Sequence, residues 1–370
     1  MFPIPVTILT GFLGAGKTTL LNRLLKDPAL GDTAVVINEF GEVGIDHLLV
    51  EKASDGIIEL SDGCLCCTVR GELAATLADL ADRLQTGRIA RLKRVVVETT
   101  GLADPAPVLA SVMGHPALAQ AYRLDGVITV VDAVNGAATL ARHVEARRQV
   151  AVADRIVLTK TDLAGDAGLQ GLHDAIKALN PGAPVLDAAG LPVAALLECG
   201  LWNPQSKSAD VAGWLRDAAL DDEHHHGHHH GSHSHAHGHH HHHDVSRHSE
   251  TIRSFALTHD APLPWSTIEM FLDLVRSTAG ERLLRMKGIV CVAEDPARPL
   301  VLHGVQRLLH PPARLPAWPD GDRRTRIVLI GDGLDEAWAR GLFAAFAGVP
   351  AIDRPDAAAL TANPLAIPGA

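Results

Sequence analysis

The chain has 370 residues, of which 47% are apolar and 21% are charged, and its formal net charge is -10. This composition supplies enough apolar residues for two ordinary domains and excludes disorder along the whole length. The acidic balance argues against nonspecific binding to nucleic acid or to an anionic membrane, because both need a basic face. No apolar run approaches the roughly 20 residues of a membrane span. Three of the five cysteines fall within four positions, which is not a disulfide framework, so we expect a cytoplasmic protein.

The first predicted strand leads directly into a phosphate-binding loop. An apolar run, Ile4 to Leu9, precedes a Gly-x4-Gly-Lys-Thr motif at residues 11–18, and a helical stretch follows from Thr19 to Lys26. Strand, loop and helix in this order are the context that the motif requires. Lys17 supplies positive charge to the β- and γ-phosphates, and the Thr18 hydroxyl can coordinate Mg²⁺, which gives both residues a catalytic role. The residues predicted to bind the nucleotide here are Gly11, Gly14, Ala15, Gly16, Lys17, Thr18 and Thr19.

An acidic loop follows the second predicted strand, Ala34 to Ile37. It occupies residues 38–46, where a P-loop GTPase keeps its first switch. Glu39, Glu42 and Asp46 are candidate cation ligands in this loop, and we also predict that Glu39 contributes to the nucleotide site.

A dense cysteine cluster comes next, formed by Cys64, Cys66 and Cys67. Zinc or cobalt would take these thiolates and one oxygen or nitrogen ligand in a tetrahedral site, with Glu42 or Glu39 as the fourth ligand. Neighbouring residues point apart in a strand, so the thiols converge only if a turn forms, which the Ser-Asp-Gly sequence at residues 61–63 favours. The alternative is two buried cysteines and one redox-sensitive thiol.

The predicted strand Arg94 to Val97 ends in Glu98-Thr99-Thr100-Gly101. This pattern resembles a Walker B strand, whose terminal carboxylate reaches Mg²⁺ directly or through water. We predict that Glu98 is the catalytic acid on the metal side and that Gly101 lies near the γ-phosphate. A strand-end carboxylate that only meets solvent is the alternative.

Three further apolar runs alternate with amphipathic helices: Gly126 to Val131, Arg155 to Leu158 and Ala183 to Leu186. The alternation predicts an α/β fold, a P-loop NTPase domain whose mostly parallel sheet is flanked by helices. Ligands bind at the carboxyl ends of strands in such sheets, which is where the polar residues after these runs fall.

The sequence Thr159-Lys160-Thr161-Asp162 predicts which base is bound. P-loop GTPases carry an Asn-Lys-x-Asp motif at this position. The Asp162 carboxylate can accept both the N1–H and the 2-amino protons of guanine, while the stem of Lys160 covers the base, so GTP is favoured over ATP. Thr159 replaces the usual Asn, which predicts looser selectivity, and a solvated Lys/Asp turn is the alternative.

A histidine-rich segment, residues 224–243, holds fourteen of the 22 histidines, interleaved with small residues. Many flexible imidazoles give several weak, interchangeable metal sites, so we interpret the segment as a capture arm or reservoir. An expression tag and a merely solvating linker are the alternatives. An imidazole has an ordinary pKa of about 6.5, and metal capture should therefore weaken as the pH falls toward 6.

The sequence after the histidine-rich segment predicts a smaller C-terminal α+β domain. Its predicted strands and helices are Thr251 to Leu257, Pro264 to Ser277 (helix), Leu284 to Val292, Leu300 to Leu308, Arg326 to Ile330 and Asp335 to Phe346 (helix). The predicted boundaries are 1–205 for the GTPase domain, 206–250 for a histidine-rich linker, 251–350 for this domain and 351–370 for a disordered tail.

Five segments of the chain, in this order, resemble the motifs of the CobW family of GTP-dependent metallochaperones: Thr10 to Leu20, Asn38 to Glu42, Cys64 to Cys67, Glu98 to Gly101 and Thr159 to Asp162. The family is related to the nickel-insertion GTPases of hydrogenase and urease maturation. The resemblance implies slow GTP hydrolysis coupled to transfer of zinc, cobalt or a similar ion, with the three thiolates as ligands. The recipient would be a client metalloprotein or a cofactor-synthesis enzyme, and the resemblance permits a GTP- or metal-dependent homodimer. In the C-terminal part, the segment Arg285 to Ile289 resembles packing residues of that family's second domain.

Two other functions remain open on the sequence. The histidine-rich segment alone suits a metal storage or buffering protein, and the same phosphate loop suits a kinase or ATPase that acts on a small molecule. For the GTPase, the hypothesis is that GTP and Mg²⁺ order residues 38–46 and draw Glu39 or Glu42 toward the cysteines. No residue is identified that positions the attacking water.

Overall fold

The computed structural model describes residues 3–38, 57–59, 69–192, 195–197 and 251–348. The N-terminal unit contains β1 (Ile4–Gly11), α1 (Lys17–Leu25), β2 (Thr33–Asn38), β3 (Ile57–Glu59), α2 (Val69–Gln85), β4 (Arg94–Thr99), α3 (Pro105–Gly114), α4 (Pro116–Ala121), β5 (Tyr122–Asp132), α5 (Gly136–Arg142), α6 (Val144–Ala151), β6 (Arg155–Thr159), α7 (Asp166–Leu179) and β7 (Val185–Asp187). Within the described residues, its strands form one parallel seven-stranded sheet in the order β3-β2-β4-β1-β5-β6-β7. The predicted helix-flanked parallel sheet is therefore confirmed.

Both faces of this sheet are covered, which explains why its strands are continuous apolar runs. Along β4, Val95 and Val97 pack into one core and Val96 packs into the core on the opposite face, as the alternating side-chain directions of a strand require. Helix α7 places Leu172 and Ile176, which are four positions apart, on its buried side.

The C-terminal unit contains β8 (Ile252–His259), α8 (Trp265–Ala279), β9 (Leu283–Val290), β10 (Leu300–Val305), β11 (Leu308–Leu309), β12 (Ala313–Arg314), β13 (Thr325–Asp332) and α9 (Glu336–Phe346). Its sheet is antiparallel in the order β11-β10-β9-β13-β8, and β12 pairs with β10. Helices α8 and α9 pack together through Phe271 and Phe343, whose rings meet edge to face with centroids 5.1 Å apart.

The prediction of one strand from Leu300 to Leu308 is wrong. The chain reverses after Val305, and β10 and β11 pair as a hairpin. Gln306 adopts the left-handed conformation, with φ of 52°, at this turn. A non-glycine residue in that conformation is uncommon, so the residue type gave no signal for the reversal.

The two units share apolar packing. The core on one side of the parallel sheet also includes four buried residues of the C-terminal unit: Ile252, Leu284, Val305 and Ile330. The units are thus joined through a continuous hydrophobic core, in which strands of the C-terminal sheet contact helices α3, α6 and α7.

A buried ion cluster lies at the same junction. Asp154, just before β6, accepts hydrogen bonds at 2.6 and 2.7 Å from Arg285 of β9, and Lys287 contacts the same carboxylate. Asp154 also accepts from the backbone N–H of Val127 at 2.8 Å. Burial opposes the charged form of Asp154, but Arg285 and Lys287 outweigh it and hold the pKa of this carboxyl well below its ordinary value. Arg285 is therefore an interdomain ion partner as well as a buried residue, which the packing interpretation of its segment did not anticipate.

No helix in the described ranges is both long and apolar enough to span a bilayer. The predicted boundaries near 205, 250 and 350 fall outside the described residues or next to their ends, and they stay predictions.

Candidate functional site

The phosphate loop connects β1 to α1 at the carboxyl end of the central strand. Gly14 and Gly16 have φ of 73° and 90°, values that a side chain disfavours. Gly16 caps the N-terminus of α1, which begins at Lys17. A helix N-terminus of this kind presents unpaired N–H groups and a partial positive charge, so it suits a phosphate. The Lys17 ammonium donates to the carbonyl of Phe12 at 3.4 Å, which places it over the same loop.

Thr18 and Glu98 meet at the side of this loop. Glu98 lies opposite Leu9 in the β1–β4 register, and its side chain is buried. The Thr18 hydroxyl donates to Oε1 of Glu98 at 2.9 Å. A hydroxyl and a carboxylate that converge in this way supply the oxygen ligands that Mg²⁺ prefers.

Gly101 lies against the phosphate loop. A Cβ at this position would be 2.6 Å from the side chain of Leu13, 2.7 Å from its backbone N and 2.8 Å from its Cα. Only glycine allows the loop after β4 to approach the phosphate loop this closely. The contact connects two segments that the sequence assigned to the same nucleotide.

Gln149 of α6 forms hydrogen bonds to the loop after β4. It is 1% exposed, and its amide N–H groups donate to the carbonyls of Gly101 at 3.2 Å and Ala103 at 3.1 Å. No sequence motif marks Gln149, because its partners are more than 40 positions away. A polar residue within an otherwise buried helix face was the one available signal.

The loop after β6 is attached to the phosphate loop by two side chains. The Thr159 hydroxyl donates to the carbonyl of Ala15 at 2.7 Å. Lys160, which has a left-handed backbone, donates to the carbonyl of Gly14 at 3.0 Å and to Asp132 at 2.7 Å. Burial opposes the charged form of Asp132, but hydrogen bonds from Lys160 and Asn135 keep its pKa below the ordinary value. Thr159 thus makes the type of bracing contact for which an Asn was expected.

A second loop approaches the exposed Asp162. The hydroxyl of Thr161 lies 3.0 Å from both carboxylate oxygens of Asp187, and Asp187 accepts from the N–H of Ala189 at 2.8 Å. Asp187 ends the last parallel strand, so its contact fixes the position of the following loop beside Asp162. The sequence interpretation did not include Asp187, although a carboxylate at the end of a strand was a usable signal.

The predicted metal ligands lie outside the described residues: Glu39, Glu42, Cys64, Cys66 and Cys67, together with the histidine-rich segment. Within the part of the chain that is described, no three His, Cys, Asp or Glu side chains are grouped to hold a metal ion. The metal-site predictions therefore stay untested by the geometry.

A phosphate loop, a Walker B-like carboxylate and a base-binding loop on a parallel helix-flanked sheet define a P-loop nucleotide-binding protein. The family model described as "CobW/HypB/UreG, nucleotide-binding domain" matches residues 5–187, and "Cobalamin synthesis protein cobW C-terminal domain" matches residues 252–347. The chain belongs to the CobW family, which confirms the resemblance found in its sequence.

Similar proteins cover nearly the whole chain. The "Zinc chaperone YjiA" of Escherichia coli K12 is 36% identical over 344 residues, covering 93% of this chain and 99% of that protein. The "Zinc chaperone CobW" of a Sinorhizobium species is 31% identical, covering 92% and 97%. The crystal structure of Zn(II)-bound YjiA GTPase from E. coli has a TM-score of 0.60 at 32% identity, covering 94% of this chain and 99% of that one. A Zn(II)-bound triple mutant of YjiA, with one glutamate and two cysteines replaced by alanine, gives a TM-score of 0.67 at 31% identity.

Proposed function

We propose that this protein is a GTPase that acts as a metallochaperone, delivering zinc, cobalt or a similar divalent ion to a client metalloprotein or a cofactor-synthesis enzyme. The observation that carries the proposal is the attachment of a Thr-Lys-x-Asp loop to a phosphate loop, through Thr159 and Lys160. Relatives that match more than nine-tenths of the chain are named zinc chaperones, and a solved relative is named a GTPase.

The phosphate end of the site has the groups that hydrolysis requires. Lys17 would bind the β- and γ-phosphates, and Thr18 and Glu98 would hold Mg²⁺, whose charge neutralises the phosphates as the bond to the leaving group breaks. The 2.9 Å contact between Thr18 and Glu98 supports this assignment, because both oxygens already converge beside the loop. Gly101 would approach the γ-phosphate. Among the described residues we assign no acid or base to the attacking water, so catalysis would rest on positioning and electrostatics, with slow turnover.

The base end of the site favours guanine. Asp162 is exposed at the end of its loop, where its carboxylate can accept both donors of the guanine edge, which adenine lacks. The bond between Thr161 and Asp187 holds the neighbouring loop in place. Thr159 braces the phosphate loop with a single hydroxyl, so selectivity for guanine is looser than with a full Asn contact.

The metal site in this proposal is formed by Cys64, Cys66 and Cys67, completed by Glu39 or Glu42. Three thiolates and one carboxylate suit tetrahedral zinc or cobalt. The histidine-rich segment captures the ion first through many weak imidazole sites.

The acidic loop connects the two sites. Strand β2, which precedes the loop, pairs Ile37 with Glu98 and Asn38 with Thr99. The loop therefore leaves the sheet beside the Walker B-like strand, where a γ-phosphate and Mg²⁺ are expected to order it and bring Glu39 or Glu42 toward the thiolates. Hydrolysis then loosens the loop and releases the metal, as in other nucleotide switches.

A titration tests the coupling. Zinc or cobalt is titrated into the full chain loaded with GDP or with a non-hydrolysable GTP analogue, and we expect tighter metal binding in the second state. Linkage requires the metal to tighten the GTP analogue by the same factor. Equal metal affinities in the two states would remove the coupling. If Lys17→Ala left metal delivery in cells intact, passive storage by the histidine-rich segment would be the better explanation.

The remaining features of the proposal follow the predicted organisation. We assign residues 1–205 to the GTPase domain, 206–250 to the histidine-rich linker, 251–350 to the C-terminal domain and 351–370 to a tail. The protein would act in the cytoplasm, with dimerisation controlled by GTP or metal.

A further inference from the structure

Two adjacent residues of α6 extend toward different parts of the molecule. Gln149 donates to the carbonyls of Gly101 and Ala103, in the loop after β4. Arg148 reaches the end of the same loop, where its Nη1 group donates to Asp104 at 3.1 Å. The opposite edge of the Arg148 guanidinium faces the C-terminal unit.

The partner on that side is Asp332, the last residue of β13. Nη2 of Arg148 donates to Oδ2 of Asp332 at 2.8 Å, and Nε donates to the same oxygen at 3.3 Å. Burial opposes the charged form of Asp332, but hydrogen bonds from Arg148 and Thr251 outweigh it and lower the pKa of this carboxyl. One guanidinium is therefore shared between a carboxylate of the nucleotide domain and a carboxylate of the C-terminal domain.

Both carboxylates are fixed to their own domains. Asp104 caps helix α3 by accepting from the N–H of Ala106 at 2.9 Å. The backbone N–H of Asp332 donates to the carbonyl of Arg282 at 2.8 Å, and that of Gly333 donates to Thr251 at 2.6 Å. A displacement of either domain relative to the other must therefore stretch the contacts of Arg148.

The loop that these residues hold is the one that meets the phosphate loop. It follows β4, in which Glu98 accepts from Thr18, and it passes Leu13 at Gly101, where even a methyl group would not fit. The segment from Gly101 to Asp104 is thus in contact with the phosphate loop at one end and with Arg148 at the other. Because protein interiors are closely packed, a displacement of this segment at one end also displaces atoms at its other end.

We propose that Arg148 and Gln149 form a domain relay, which holds the loop after β4 in its hydrolysis-competent position only when the C-terminal domain is docked. Both are positioning residues, because neither lies among the groups assigned to the phosphates, the base or Mg²⁺. The relay rests on the proposed GTPase function and adds to it a role for the second domain, which sets the rate of hydrolysis through Asp332. A client that displaces the C-terminal domain would change GTP turnover through this contact.

The test uses the full chain and measures kcat and KM for GTP, with active sites counted by GDP binding. Asp332→Asn keeps the side-chain size and Arg148→Gln shortens the side chain, and each removes one charge. We expect either change to lower kcat by about 2- to 30-fold while the affinity for GDP stays within about twofold, because the phosphate loop keeps its own contacts. Arg307→Gln is the control, since it removes an exposed ion pair with Glu281 inside the C-terminal domain.

The double variant separates a relay from local damage. If Arg148 transmits the effect of Asp332, the double variant is no slower than Arg148→Gln alone, because the link is already broken. Independent losses that multiply in the double variant would overturn the relay. Unchanged kcat in Asp332→Asn would also overturn it, while hydrolysis by the wild-type chain would leave the proposed function standing. A wild-type chain that binds GTP without hydrolysing it would overturn both.

Discussion

The replacement of Gly101 by alanine tests the contact between the loop after β4 and the phosphate loop. The added Cβ would lie 2.6–2.8 Å from atoms of Leu13, including two backbone atoms, whereas ordinary contact begins at 3.4 Å. The two loops must separate by roughly 0.7 Å to accept the methyl group, at a cost of about 1–3 kcal/mol. The φ of Gly101 is not in the left-handed region, so the cost is steric and does not come from the backbone conformation.

The expected functional effect is larger than the effect on stability. A misplacement of about 1 Å in a catalytic arrangement can cost roughly 100-fold in rate, so we expect kcat for GTP to fall by about 10- to 100-fold in Gly101→Ala. GDP affinity should change little, because GDP lacks the γ-phosphate that this loop approaches. Single-turnover hydrolysis and GDP titration, measured on the same preparation, separate the loss of hydrolysis rate from any change in nucleotide affinity.

Gly171→Ala is a matched control for this substitution. Gly171 lies on the exposed side of α7, and a Cβ there would meet no atom within 4 Å. Alanine in a helix interior stabilises by about 0.5–1 kcal/mol relative to glycine, so this variant should keep its activity and unfold at a slightly higher temperature. If Gly101→Ala hydrolysed GTP as fast as Gly171→Ala, the steric explanation would be wrong.

Four further outcomes are expected. In competition binding, Asp162→Ala should reduce the preference for GTP over ATP by about tenfold or more, because the guanine donors lose their acceptor; an unchanged preference would assign base recognition elsewhere. Zinc capture by the full chain should weaken between pH 7.5 and 5.5 as imidazoles protonate, with a much smaller change in a variant lacking residues 224–243. Asp154→Asn should lower the free energy of unfolding by about 3–5 kcal/mol in urea, since Arg285 is left buried without its counter-charge. Burial and Arg285 also lower the pKa of His303 well below 6.5. As the pH drops below about 6.5, the unfolded chain therefore takes up a proton before the folded chain does, and the free energy of unfolding falls, with a further loss below about 4 from Asp154. Equal urea midpoints at pH 7.5 and 5.5 would contradict the His303 assignment.

The parallel sheet and the phosphate loop were predictable because their signals are local. Continuous apolar runs such as Arg94 to Val97 arise from strands that are buried on both faces. The loop motif follows from the conformations that its glycines must adopt, and Glu98 was predictable because it directly follows such a run. The same locality places Thr18 in the first turn of α1 and Glu98 near the carboxyl end of β4, where the structure brings them into contact.

Contacts between distant segments were not predictable. Gln149 and Asp187 act through partners 26 to 48 positions away, and neither belongs to a recognisable motif. Arg285 lies in a segment that reads as a core strand, and its ion pair with Asp154 depends on how two domains meet. The Thr159 hydroxyl bonds to the carbonyl of Ala15 at the position of the usual Asn, a contact that the residue type alone did not show.

Two family models match the two halves of this chain separately, which would suggest that the halves can be exchanged between relatives. The charge of Asp154 argues against simple exchange, because its counter-charges, Arg285 and Lys287, belong to the other half. A chimera whose second half lacked these bases would bury a carboxylate without compensation. Successful recombination between relatives therefore has to inherit this carboxylate and its two bases together, and a junction placed anywhere between residues 155 and 284 separates them.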